Sequence, residues 1–109
     1  MNPEQQNPGF ESFDPGHSYW LENLEGDGRQ SLHFIKKEPR ENGTLRLEND
    51  GTTNERVIKV LIDRMSYLNA QVPCLENEQV IRCLQDAVTI LDQRMSDRKE
   101  RGVFHTNKV

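Results

Sequence analysis

The sequence predicts a mainly α protein of the α+β class: an antiparallel two-helix hairpin preceded by a short β-hairpin, assembling as a symmetric oligomer. Three observations carry this. Residues 55–95 hold 21 apolar residues out of 41, whereas residues 1–51 hold only 12, so most of the packing energy lies in the C-terminal half. There, apolar positions recur three and four residues apart on both sides of a break at Gln71-Val72-Pro73. Upstream, two short alternating stretches flank Asn42-Gly43, a pair favoured in hairpin turns.

Taken in order, residues 1–29 contain two turn formers, Asn7-Pro8-Gly9 and Asp14-Pro15-Gly16, with Phe10, Phe13, Tyr19, Trp20, Leu21 and Leu24 between and after them. No period of two or 3.6 is sustained, which predicts a flexible, irregular N-terminal arm whose aromatic cluster docks on a neighbouring helix or subunit if it is not disordered. Residues 30–50 form the β-hairpin, with one strand over Ser31–Glu38, ended by Pro39, and the other over Thr44–Glu48. A lone hairpin is marginal in water, so this one must lie on the helices or pair with another subunit.

Residues 51–109 form the helical domain. Thr52 and Glu55, three apart, fit a capping box at the start of the first helix. Val57, Leu61, Met65 and Leu68 make one stripe, Ile58 and Ile62 a second, and Val60 and Tyr67 widen the arc further than one partner helix can cover. The second helix begins between Cys74 and Asn77, with Asn77 a candidate cap, and buries Val80, Leu84, Ala87 and Leu91, flanked by Ile81, Cys83, Val88 and Ile90. Gly102 is placed as its C-terminal cap. Faces this wide on so short a domain imply that hairpins assemble on one another.

Composition closes several functional classes. The net charge is -4, with five Lys/Arg against ten Asp/Glu in residues 1–51 and nine against eight in residues 52–109. That balance argues against a nucleic-acid polymer as partner, because coating a polyphosphate requires many cationic contacts. Cys74 and Cys83 have neither a second pair nor a histidine couple, so they read as reduced, helix-packed thiols rather than zinc ligands or a disulfide framework. Apolar runs fall well short of the roughly 18 residues of a membrane span, and the expected location is cytosolic. His17, His33 and His105 are scattered over three regions, no serine or cysteine sits in an active-site signature, and the helix aspartates lie on polar faces. Gly26-Asp27-Gly28 is too short and too acidic for a phosphate loop. An enzyme is therefore not expected, and no cofactor is implied.

One feature has the shape of a ligand site. Arg94, Arg98 and Arg101 are spaced four and three apart and share a helix face, presenting forked donors that suit phosphate oxygens. The same cations also suit a helix C-terminus, so composition leaves both readings open. Tyr67 offers a stacking face for a base or is part of the core, and Asn77 reads a purine edge or caps its helix.

The run Asp50-Gly51-Thr52-Thr53-Asn54-Glu55, the following Leu61-Ile62-Asp63-Arg64, then Pro73-Cys74-Leu75-Glu76-Asn77 and the ending Arg94, Asp97-Arg98, Arg101-Gly102-Val103 and Thr106 resemble small phage proteins of the Thoeris anti-defence and anti-CBASS signal-sponge family. Gln30–Pro39 is similar to the short β region of the Thoeris branch. The resemblance implies a homo-oligomer, a hexamer, acting in the cytoplasm of an infected bacterial host. It would bind cyclic nucleotide second messengers, cyclic ADP-ribose-like in the Thoeris branch and cyclic di- and trinucleotides in the wider family, without degrading them. By motif, Asn77, Arg94 and Arg98 take the places of family ligand-binding residues and Tyr67 that of an aromatic late in the first helix; Arg101 extends the basic stripe. A helical oligomer that serves only as a structural or adaptor protein, with no small ligand, is the alternative.

Overall fold

A computed structural model describes residues 8–100, with side chains to Asp97. The chain divides into two units: one takes the described residues up to Lys37 together with Leu47–Thr52, the other Glu38–Arg46 together with the chain from Thr53 onward.

The first unit is a three-stranded antiparallel sheet in the order β1 (Phe10–Asp14), β2 (Ser18–Glu22), β3 (Arg29–His33). This corrects the irregular arm expected over residues 1–29 for its described part, residues 8–29; residues 1–7 lie outside the described residues. Asp14-Pro15-Gly16-His17 is a tight turn in which the His17 N–H donates to the Asp14 carbonyl at 2.9 Å. Gly16 at φ +82° supplies the left-handed third position of a type II turn. The register shifts between Ser12 and Asp14, so Phe13 is an extra residue on a bulged strand. That bulge explains the missing period of two. It turns Phe13 onto the face of Trp20, where the rings stack at 5.0 Å, while Phe10, Tyr19, Leu21, Leu32 and Phe34 share an apolar surface. With aromatic residues on both faces, alternation of apolar and polar residues disappears from the sequence.

The strand expected over Ser31–Glu38 is likewise broken, into β3 and β4 (Lys36–Pro39). At the break, Phe34 donates its N–H to the His17 carbonyl at 2.7 Å and makes a parallel bridge with Thr52. Thr52 donates to the His33 carbonyl at 2.9 Å, and Ile35 donates to the Thr52 carbonyl at 2.8 Å. Gly51 makes this junction possible: a Cβ there would lie 2.6 Å from the His33 carbonyl oxygen, 2.7 Å from the Phe34 carbonyl carbon and 2.9 Å from the Ile35 nitrogen.

β4 pairs with β5 (Leu45–Asn49), giving the second hairpin. Its loop uses Gly43 rather than a left-handed Asn42: the Gly43 N–H donates to the Arg40 carbonyl at 3.0 Å and Gly43 has φ +83°. That is a type I turn followed by a left-handed glycine, the three-residue hairpin solution. Asn42 instead accepts through its Oδ1 from the Thr44 N–H at 3.1 Å and the Thr44 hydroxyl at 2.6 Å.

In the second unit, α1 (Asn54–Gln71) and α2 (Leu75–Glu100) pack on each other across a three-residue turn. The cap of α1 is Thr53, whose hydroxyl accepts from the Arg56 N–H at 3.3 Å, and not the expected Thr52. Thr52 cannot serve, because its backbone is engaged with β3. The Val72 N–H closes α1 on the Leu68 carbonyl at 3.0 Å, and Pro73 prevents continuation. Asn69 accepts from the Cys74 N–H at 3.0 Å, which pins the turn. Because α2 begins at Leu75, Asn77 lies inside its first turn and is not its cap. Gly102 lies outside the described residues.

Val57, Ile58, Ile62, Met65 and Leu68 of α1 are half-buried, as are Ile81, Leu84, Ala87, Val88 and Leu91 of α2. No described side chain is fully buried. Leu61 and Val80, expected in the main stripes, are exposed, as are Val60 at 67% and Ile90 at 68%. Both cysteines are free thiols, Cys74 half-buried in the turn and Cys83 exposed on α2 rather than packed.

Candidate functional site

The residues singled out in the sequence fall on the helical hairpin, where helix geometry fixes their spacing. Tyr67 lies one turn from the end of α1, 61% exposed, its hydroxyl accepting from Gln71 Nε2 at 3.1 Å. Asn77 is half-buried in the first turn of α2. Both sit at the closed end of the hairpin. Arg94 is exposed and shares a face with Ile90, one turn before it. It stands about 25 Å further along α2 than Asn77, at 1.5 Å per residue.

A single chain therefore divides the predicted set into two groups, Tyr67 with Asn77 at the turn and Arg94 at the far end. The backbone of Arg98 continues α2, but its side chain lies outside the described residues, as does Arg101 entirely. At 26 residues against 18, α2 also runs about 12 Å past the start of α1. No pocket in one protomer can use both groups. Val60, Leu61 and Ile90 are apolar residues left exposed on the hairpin.

A concave region in the first unit was not legible in the sequence. The turn after β1, the end of β3 and the segment before Gly51 enclose a cleft of about 460 Å³ within the first unit. His17 and His33, read from the sequence as scattered, both line it. His33 Nδ1 and the Ser18 hydroxyl share a hydrogen bond at 3.0 Å, and the Lys36 ammonium pairs with Asp14 at 3.2 Å on its wall. The strand pairing of residues 15 apart creates this proximity, and no local spacing signals it. Among the described residues no group of three His, Cys, Asp or Glu side chains could hold a metal ion, and no helix is long and apolar enough to cross a membrane.

No family model matches the chain. It is similar to Thoeris anti-defense 1 of Bacillus phage SBSphiJ7, at 35% identity over 60 residues, which cover 54% of this chain and 42% of that protein. The chain thus spans less than half the length of the curated relative it matches. The resemblance to the Thoeris anti-defence family read from the motifs is upheld by this match.

Proposed function

From that kinship we propose that the chain is a phage anti-defence protein that captures cyclic nucleotide immune signals between protomers of a homo-oligomer, a hexamer, and holds them intact. The observation that supports this reading is the separation along α2. Tyr67 and Asn77 offer a stacking face and an amide at one end of the hairpin, and Arg94 offers a forked cation about 25 Å away. A ligand with ring systems and two phosphates uses both kinds of group, which only neighbouring copies can bring together.

Sequestration asks nothing more than affinity and abundance. Guanidinium groups would make charge-assisted hydrogen bonds with the phosphates, and an aromatic ring would stack on a base, each contributing on the order of 1–3 kcal/mol. Starving the bacterial effector of its activator follows by mass action. Cyclic ADP-ribose-type molecules are the first ligand class, with cyclic di- and trinucleotides the second, and the host cytoplasm is where both would be met.

Calorimetry with a panel of cyclic ADP-ribose isomers and cyclic oligonucleotides, paired with light scattering of the assembled particle, tests the proposal. Heat of binding at one ligand per pocket and recovery of unaltered ligand after heat denaturation are expected. A monomeric particle, or cleaved ligand, overturns it. The uncovered helical faces favour one second reading, a purely structural or adaptor oligomer, which predicts that Arg94→Ala leaves all activity intact.

A further inference from the structure

We propose that Asp50-Gly51 is a self-modification site, at which the Asp50 side chain and the Gly51 nitrogen close to a succinimide that reopens as an isoaspartyl link and undoes the junction with the end of β3. The site lies wholly within the first unit and involves no ligand.

An aspartate or asparagine precedes a glycine at three places, Asp27-Gly28, Asn42-Gly43 and Asp50-Gly51. Glycine has no side chain to shield its nitrogen, so each pair is able to cyclise. The fold treats them differently. At Asn42 the side-chain oxygen accepts from the Thr44 N–H at 3.1 Å and the Thr44 hydroxyl at 2.6 Å, while the Gly43 N–H is taken by the Arg40 carbonyl at 3.0 Å. Both reacting groups are committed to other partners. Among the described residues no hydrogen bond brings the Gly28 N–H to the Asp27 carboxylate. At Asp50 the Gly51 N–H donates to Oδ1 of that same side chain at 2.8 Å, and no backbone carbonyl takes it. One C–O bond beyond Oδ1, Cγ lies within about 4 Å of the nitrogen, close to the roughly 3–3.5 Å from which bonds form. Asp50 is exposed on the cleft, so water reaches it, and no ion pair among the described residues draws its carboxylate away.

Water is the only co-reactant. The Gly51 nitrogen bonds to Asp50 Cγ, and the amide hydrogen and the hydroxyl of the protonated carboxyl leave as water. A second water opens the five-membered ring. Attack at Cγ restores aspartate, whereas attack at the Asp50 backbone carbonyl leaves Gly51 joined through Cβ and Cγ, with a free α-carboxylate. No electrons are transferred, and the mass of the chain is unchanged.

The isoaspartyl chain is one backbone atom longer, about 1.5 Å. It lengthens where the fold has least room. A Cβ at Gly51 would already lie 2.6 Å from the His33 carbonyl oxygen, and Thr52 is bonded in both directions, its N–H to His33 at 2.9 Å and its carbonyl to the Ile35 N–H at 2.8 Å. The added atom displaces Thr52 from both bonds. The close approach that demands glycine at position 51 therefore also keeps the reactive pair in the chain.

The test holds the full chain in heavy-oxygen water in mildly acidic buffer, native or in urea, and follows peptides spanning the three pairs by mass spectrometry. Each ring opening leaves one solvent oxygen behind, so turnover is read whichever way the ring opens, and fragmentation then assigns the isoaspartyl link. In the native chain Asp50 should take up label at least about tenfold faster than Asp27, the advantage of a positioned nucleophile. Folding should slow Asn42 deamidation at least about tenfold relative to urea while Asp50 keeps or exceeds its unfolded rate. The isoaspartyl form, separated by chromatography, should melt about 5 °C or more below the parent by Trp20 fluorescence, as for loss of the two junction bonds. Asp50→Glu, which could close only a less favourable six-membered ring, should gain neither the label nor the low-melting form. Equal labelling of Asp27 and Asp50, a tenfold slowing of Asp50 on folding, or an isoaspartyl form that melts with the parent overturns the assignment, and the labelling of the unsubstituted chain decides it even where the variant fails to fold.

Discussion

The sheet unit and the helical unit solve the same shortage of apolar material in opposite ways. In the sheet, aromatic rings find partners within the unit: Phe13 on Trp20, Phe10 on Tyr19 at 5.8 Å, Tyr19 on Phe34 at 5.9 Å, and the Arg29 guanidinium over Trp20 at 4.9 Å. In the hairpin, half of each apolar arc faces the partner helix and the other half faces outward, Val60, Leu61 and Ile90 included. The lesson is that self-sufficiency differs by region. Close ring pairs and backbone bonds hold the sheet, although Phe10 and Phe13 stay about half exposed, whereas the helices leave Val60, Leu61 and Ile90 without a ring or helix against them.

The sharpest way to break this comparison is at Gly51. Gly51→Val places a branched side chain against the backbone of His33, Phe34 and Ile35. It should destabilise the sheet by about 3 kcal/mol or more, the upper range of overpacking. Trp20 fluorescence should melt at lower temperature while helical circular dichroism persists; a joint loss of both signals would show that the units do not stand apart. Next in size, Leu61→Asp puts a charge on an exposed apolar position of α1. Light scattering should report loss of assembly, and an unchanged particle mass would remove the helices from the interface.

Arg94→Ala sharpens the comparison from the ligand side. Signal affinity should fall between about tenfold and a hundredfold, as for loss of one charge-assisted pair, with particle mass unchanged. Thr53→Ala removes the cap of α1 and should lower helical stability by about 1 kcal/mol, read as a shift in the thermal midpoint at 222 nm. The smallest effect is expected for Arg29→Ala. Its cation lies over Trp20 at an exposed site and pairs with Glu11 at 3.7 Å, so about 0.5–1 kcal/mol should be lost, visible in Trp20 emission.

How legible each region was follows from the same contrast. Helices declare themselves through local spacing, so Asn54–Gln71 and the start of α2 near Cys74 could be read from the apolar period and Pro73. The β1–β2 pair could not, because a single bulged residue and aromatic side chains on both faces erase the alternation. Thr52 lost the capping role to Thr53 for a reason that lies in another part of the chain, the bridge to Phe34. In the candidate site, Asn77 and Arg94 could be placed near opposite ends of one predicted helix from the sequence alone, and the observed bounds of α2 put them about 25 Å apart. His17 and His33 were the reverse, distant in sequence and adjacent on the cleft.

Gly51 has one more implication. Its contribution is an empty volume, since what the junction requires there is that no carbon project from the backbone. A selection experiment scoring every substitution would report this position as intolerant as any ligand contact, although no signal molecule need ever touch it. Mutational maps of this chain should therefore be sorted by the size of the substituted side chain before any intolerant position is credited with chemistry.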